Sequence, residues 1–255
     1  MTRKLFDDRA ATELLGFVFI FSMIVASVGL LYVSGVGSLE DARDMEQSKN
    51  AERAFTALAT TFDDLQRNRA PARAGEVRLV GGTIAVNETT RLRVGVEQTS
   101  PTAVEINRTL GQGALVYTVN DRVVRYESGA VFSGGEAGSW LVRRPAFDCT
   151  PDRAIVSAVT INETGDISSV SKQGSVLVVG RTMDTELLFP LGGSVARQDD
   201  TAATTVRIRA ESSPNSEAWN RYFESNGWQK DGSWYECPTR RAFVRETVVG
   251  FDVRN

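Results

Sequence analysis

The sequence predicts an α+β protein: an N-terminal transmembrane helix, a helical extension, then a mainly antiparallel β-rich domain with one late helix. Three observations predict it. Residues 14–33 carry no charge, and as a helix they reach roughly 30 Å at about 1.5 Å per residue, the thickness of a bilayer core. From Ala51 to Leu65 the apolar positions step by four and three, the pattern of one helix face. Beyond Pro71 the period changes to two, most cleanly over residues 91–97 and 205–211.

The membrane segment is read as residues 11–38. Arg3, Lys4 and Arg9 precede it, whereas Glu40, Asp41, Asp44 and Glu46 follow with few bases among them. The excess of positive charge on the N-terminal side predicts a cytoplasmic N-terminus and an extracellular C-terminal domain. The apolar run is longer than that of an ordinary secretory signal, and no convincing A-x-A site closes it. Residues 1–10 then form a short leader.

Residues 39–70 are expected to form an amphipathic helical stalk. Gly35 and Gly37 mark a weak point, and Ser38 would cap a restart with Glu40 and Asp41 in its first turn. Ala51, Phe55, Leu58, Phe62 and Leu65 face either the protein's own domain or a neighbouring subunit. Pro71 ends the helix.

Residues 71–255 read as the β-rich domain. Strands are expected at 76–80, 83–87, 91–97, 103–108, 114–119, 122–126, 154–161, 175–179, 186–189, 205–211 and 242–253. Gly81-Gly82, Asn120-Asp121, 133–135 and Gly192-Gly193 supply turns between them. This spacing predicts a sandwich or meander. A late helix opens at Ser213-Pro214-Asn215, presents Ala218, Trp219, Tyr222 and Phe223 on its apolar face, and closes at Asn226-Gly227.

Chemistry is constrained mainly by what is missing. There is no histidine among the 255 residues, which removes the usual general base and the commonest metal ligand. No P-loop, G-x-S-x-G, G-x-G-x-x-G or metal-ligand spacing occurs, so no enzyme activity, catalytic residue, cofactor or metal is assigned. The net charge of -3 and the lack of a basic block argue against nucleic acid as a partner. Asp63-Asp64 and Asp199-Asp200 could contribute to a cation site, although such pairs more often form solvated surface.

Cys149 and Cys237 are the only cysteines. An even count outside the membrane favours a disulfide, with two separate buried thiols as the alternative. Asn87, Asn107 and Asn162 each begin an N-x-T sequon, so each is a candidate N-glycosylation site.

The preface to the apolar run carries a resemblance. Arg9-Ala10-Ala11-Thr12-Glu13-Leu14-Leu15-Gly16 resembles the class III signal of archaeal type IV pilins and pilin-like proteins. The stretches 38–43 and 50–55 are also similar to haloarchaeal membrane proteins of unknown function with the same beginning. The resemblance implies that a prepilin peptidase would cut between Ala10 and Ala11, after the basic Arg9. It also implies that Glu13, at the third mature position, would take part in assembly with other pilin-like subunits. The alternative is an uncleaved single-pass protein with an extracellular binding or scaffold domain.

Overall fold

The computed structural model describes residues 7–67, 69–99, 105–135, 137–165, 169–190 and 203–254. The chain divides into two compact units, Met1–Gln47 and Ser48–Asn255. Helix α1, Asp7–Gln66, supplies the whole described part of the first unit and the opening element of the second. The restart expected at Ser38 is absent, because residues 35–38 continue the helix. Gly35 has no neighbouring atom within 4 Å of where a Cβ would be, so nothing packs there to force a break.

The second unit begins at Ser48 rather than at 71. The reason lies in the stripe at helical spacing. Ala51, Phe55, Leu58, Ala59, Phe62 and Leu65 are all buried, within a cluster shared with strand residues. The C-terminal part of α1 is therefore a core element of the β-rich unit, not a stalk standing apart from it. Its end is held by side chains from the sheet. Arg245 donates to the backbone carbonyl of Gln66, and the Gln66 amide donates to Ser157. The Arg245 bond satisfies a helix-terminal carbonyl that has no partner within the helix, and the Gln66 side chain ties the same turn to β9.

Fourteen strands follow. They are β1 (Ala72–Asn87), β2 (Arg91–Thr99), β3 (Glu105–Leu110), β4 (Ala114–Val119), β5 (Arg122–Glu127), β6 (Ala130–Gly135) and β7 (Gly138–Arg143). After them come β8 (Ala146–Cys149), β9 (Ala154–Glu163), β10 (Ser169–Phe189) and β11 (Ala203–Ser212). Helix α2 (Ser216–Ser225) precedes β12 (Gln229–Asp231), β13 (Trp234–Thr239) and β14 (Ala242–Arg254). Nine strands make one sheet in the order β7-β6-β5-β4-β1-β10-β14-β9-β8, and five make a second in the order β12-β13-β11-β2-β3. Pairing is antiparallel except between β14 and β9, which run parallel.

Alternation along the strands sets the layers. On β9 and β14 the odd residues Val159, Ile161, Val249, Phe251 and Val253 join the cluster with α1. The even residues Ala154, Val156, Ala158, Ala242 and Val244 join a second cluster with Leu92, Val94, Val206 and Ile208 of the five-stranded sheet. Within the second unit the nine-stranded sheet is thus the middle layer, with the Ala51–Leu65 part of α1 on one face and the smaller sheet on the other. Phe62 anchors the first cluster, meeting Phe251 and Tyr126 edge-on at 4.8 and 5.9 Å.

Two pairs of expected strands are single long ones. Residues 76–80 and 83–87 belong to β1, whose register with β10 shifts between Val80 and Thr83. Gly81-Gly82 is a bulge in that strand, not a turn; both glycines have positive φ, the conformation in which a missing Cβ costs nothing. Residues 175–179 and 186–189 likewise belong to β10, which bends through register shifts against β14. Asn120-Asp121 does turn a hairpin between β4 and β5. Gly192-Gly193 lies outside the described residues.

Candidate functional site

The apolar part of α1 is the clearest functional element. Leu14–Gly35 is a 22-residue span of mean hydropathy 2.6, and none of it is buried by protein. Phe17, Phe19, Ile20, Met23, Leu30, Leu31 and others stand fully open. A soluble protein rarely exposes so large an apolar surface. Two of its hydroxyls bond within the helix: Ser27 donates to the Met23 carbonyl at 2.7 Å and Ser34 to the Leu30 carbonyl at 2.9 Å. Internal satisfaction of this kind is what hydrocarbon requires, since no water is available there. Placing a charge at the middle should undo it. Ile24→Arg is expected to weaken insertion by about 3 kcal/mol, read as a smaller membrane-integrated fraction in an insertion assay, while Ile24→Leu leaves it unchanged.

Arg9, Ala10, Ala11 and Glu13 fall within the α1 backbone, and their side chains lie outside the described residues.

The disulfide is present. Cys149 at the end of β8 bonds Cys237 in β13, closing a separation of 88 residues. It links an edge of the nine-stranded sheet to the five-stranded sheet, so it staples the two β layers together. The three sequon asparagines are all exposed. Asn87 ends β1, where its Oδ1 accepts from the backbone N–H and the hydroxyl of Thr89 at 2.9 and 2.6 Å. Asn107, on β3, accepts from Arg93 Nε at 2.8 Å. Asn162 lies on β9 beside Gly250 of β14.

Asp63 and Asp64 are engaged by arginines. Asp63 pairs with Arg143 at 2.7 Å, and Arg143 also donates to the Gly129 carbonyl. Asp64 pairs with Arg73 at 3.0 Å. These bonds tie the last turn of α1 to strands β1 and β7. Asp199-Asp200 lies outside the described residues. Among the described residues, no group of three or more acidic or cysteine side chains could hold a metal ion.

Glu127 carries no signal in the pattern of residues around it. It ends β5 and is completely buried. Its Oε1 accepts from Trp219 Nε1 at 2.9 Å, and its Oε2 accepts from Asn215 Nδ2 at 2.9 Å and Ser213 Oγ at 3.0 Å. Desolvation pushes its carboxyl above the usual carboxylate range; the three donors and the nearby Arg125 guanidinium pull the other way. All three donors come from the start of α2, so the carboxylate fixes that helix to the middle sheet. Ser213-Pro214-Asn215 does open α2 as expected, but Asn215 makes no side-chain cap bond; its amide is used on Glu127 instead. The aromatic face of α2 is entirely internal. Trp219 packs among Phe132, Phe147, Tyr222 and Phe223. The hydroxyl of Tyr222 donates to the Phe147 carbonyl at 3.0 Å.

Comparison with known proteins adds a family and a relative. The chain is 21% identical over 265 residues to an uncharacterized protein of Archaeoglobus fulgidus, covering 86% of this chain and 85% of that one. No solved structure matches it. A family model matches residues 9–250, nearly the whole chain and including the apolar helix, and the protein therefore belongs to the family of unknown function DUF7289.

Proposed function

We propose that the protein is a single-pass surface protein, held in the membrane by Leu14–Gly35 and exposing its β-rich unit on the outer side. The observation that carries this reading is the span itself, apolar, long enough and unburied. The charge difference across it supports the orientation. The staple between Cys149 and Cys237 suits an oxidising compartment. The exposed sequons at Asn87, Asn107 and Asn162 suit an extracellular surface.

Within this reading, the stretch Arg9 to Glu13 favours a pilin-like or pseudopilin-like subunit. A prepilin peptidase removes residues 1–10, and the freed helix then packs with those of other pilin-like subunits in an archaeal surface structure. The apolar surface of Leu14–Gly35, none of it buried among the described residues, is available for such packing. N-terminal sequencing of the membrane-extracted protein tests the processing. A start at Ala11 is expected, and Ala10→Glu should abolish it. An intact N-terminus in the native protein would leave an uncleaved anchor carrying a binding or scaffold domain.

A further inference from the structure

Two adjoining cavities, of about 420 and 370 Å³, open where the β4–β5 hairpin, the β6–β7 turn and the start of α2 converge. They share Asp121 and Ser139. Arg122, Trp140, Glu217 and Arg221 line the first, and Arg125 and Asn215 line the second. No other function described above uses this cleft.

Three features set its chemistry. Arg125 is half-buried, and its guanidinium makes no hydrogen bond to any described residue. The charge nearest to it is Glu127, whose oxygens already accept from Trp219, Asn215 and Ser213. A half-buried guanidinium that faces an open cleft, with its N–H groups free of protein acceptors, is placed to make charge-assisted bonds to an anionic ligand. Second, the neighbouring ion pairs are loose: Arg122 lies 3.9 Å from Asp121, and Arg221 lies 3.9 Å from Glu217, all of them exposed; Arg221 is placed instead by donating one N–H to the Ser139 carbonyl at 2.5 Å, which leaves its other N–H groups for a ligand. Such pairs hold little energy, so both their donors and their acceptors can turn to ligand hydroxyls. Third, Trp140 is 45% exposed, whereas Trp219 and Trp228 are buried. An open indole offers a flat apolar face beside polar groups.

We propose that this cleft binds an acidic saccharide. The sugar carboxylate lies on Arg125, ring hydroxyls meet Asp121, Arg122 and Arg221, and a C–H face rests on Trp140. The Arg125 guanidinium, with no hydrogen bond to a described residue, can hold one carboxylate, so a single acidic sugar ring fills the site. Asp121 and Glu217 would repel a polyacidic peptide but accept hydroxyl donors. The cavities are open to solvent, which suits a stretch or end of a polymer.

The test is calorimetric titration of the full chain in detergent micelles with an oligogalacturonide, its carboxyl-reduced neutral counterpart, and oligoglutamate. Saturable binding of the oligogalacturonide is expected, with the neutral sugar at least about tenfold weaker and oligoglutamate without saturation. Arg125→Gln and Trp140→Ala should each weaken binding about tenfold. Trp140 is exposed, so its variant should keep the wild-type melting temperature; if Arg125→Gln does not, Trp140→Ala and Arg221→Gln decide. No binding, equal binding of the neutral sugar, equal binding of oligoglutamate, or indifference of Trp140→Ala and Arg221→Gln would overturn the proposal. Self-association that free oligogalacturonide competes away would place the natural saccharide on another copy. Binding by a protein that stays monomeric would place it on an external polymer.

Discussion

Glu127→Ala is expected to destabilise the β-rich unit by about 3–5 kcal/mol. The substitution strands the buried donors of Trp219 and Asn215 and the half-buried hydroxyl of Ser213; each unsatisfied buried group costs about 1–3 kcal/mol. Glu127→Gln should cost less, yet still destabilise. A glutamine presents an N–H₂ group where only acceptors are wanted, so one of the donors loses its partner. Denaturant unfolding followed by tryptophan fluorescence measures both, since Trp219 is the residue most directly released. The pH dependence follows from the direction of the shift. Burial raises the folded-state pKa of Glu127 above its unfolded value. The stability linked to this group is therefore complete below the unfolded carboxylate range and declines as pH rises through the folded pKa. Wild-type protein should show that step, and Glu127→Ala should lack it.

Removing the disulfide is expected to cost about 4 kcal/mol, from the chain entropy released by opening a loop of 88 residues. Its placement adds to the effect. Cys149 lies on β8, the edge of the nine-stranded sheet, and Cys237 is fully buried in β13 of the smaller one. The bridge also sits beside the end of α2. Gly227 has positive φ there, and a Cβ on it would come within 2.8 Å of the Cys149 carbonyl. Glu127 and the disulfide thus hold α2 at opposite ends. Comparing the melting of the native chain with Cys149→Ala/Cys237→Ala measures the contribution. A loss below about 1 kcal/mol would mean that packing alone joins the two sheets.

Local patterns were legible in the sequence, and long-range pairing was not. The face of α2, the hairpin at Asn120-Asp121 and the stripe from Ala51 to Leu65 each rest on residues close in the chain, where periodicity and turn chemistry suffice. What covers that stripe could not be read, because the answer lies in β1, β4, β5, β9, β10 and β14. The parallel pairing of β9 with β14 joins Ala154 to Ala242, and nothing local encodes it. Bulges misled the segmentation: Gly81-Gly82 reads as a turn, yet the strand continues on both sides. Strands β6, β7, β8, β12 and β13 carry no period-two signal: 133–135, expected as a turn, is the end of β6 and pairs with β5 and β7, and segments such as 138–143 and 234–239 mix charged, aromatic and small residues. Glu127 was invisible for a related reason. At the end of an alternating strand a carboxylate normally points to solvent, and only the packing of α2 turns that position inward. Trp140 and Arg125 lie on different strands, so the cleft emerges only in three dimensions.

The outward orientation of the β-rich unit is the central claim, and the scarcity of lysine makes it directly measurable. The chain has only Lys4, Lys49, Lys172 and Lys230. Lys49 and Lys230 are exposed in the second unit, whereas Lys4 precedes the apolar span. Intact cells treated with a membrane-impermeant amine reagent, followed by peptide mass spectrometry, should show modification at Lys230 and Lys49 and none at Lys4. Modification of Lys230 only after the cells are broken open would contradict the account.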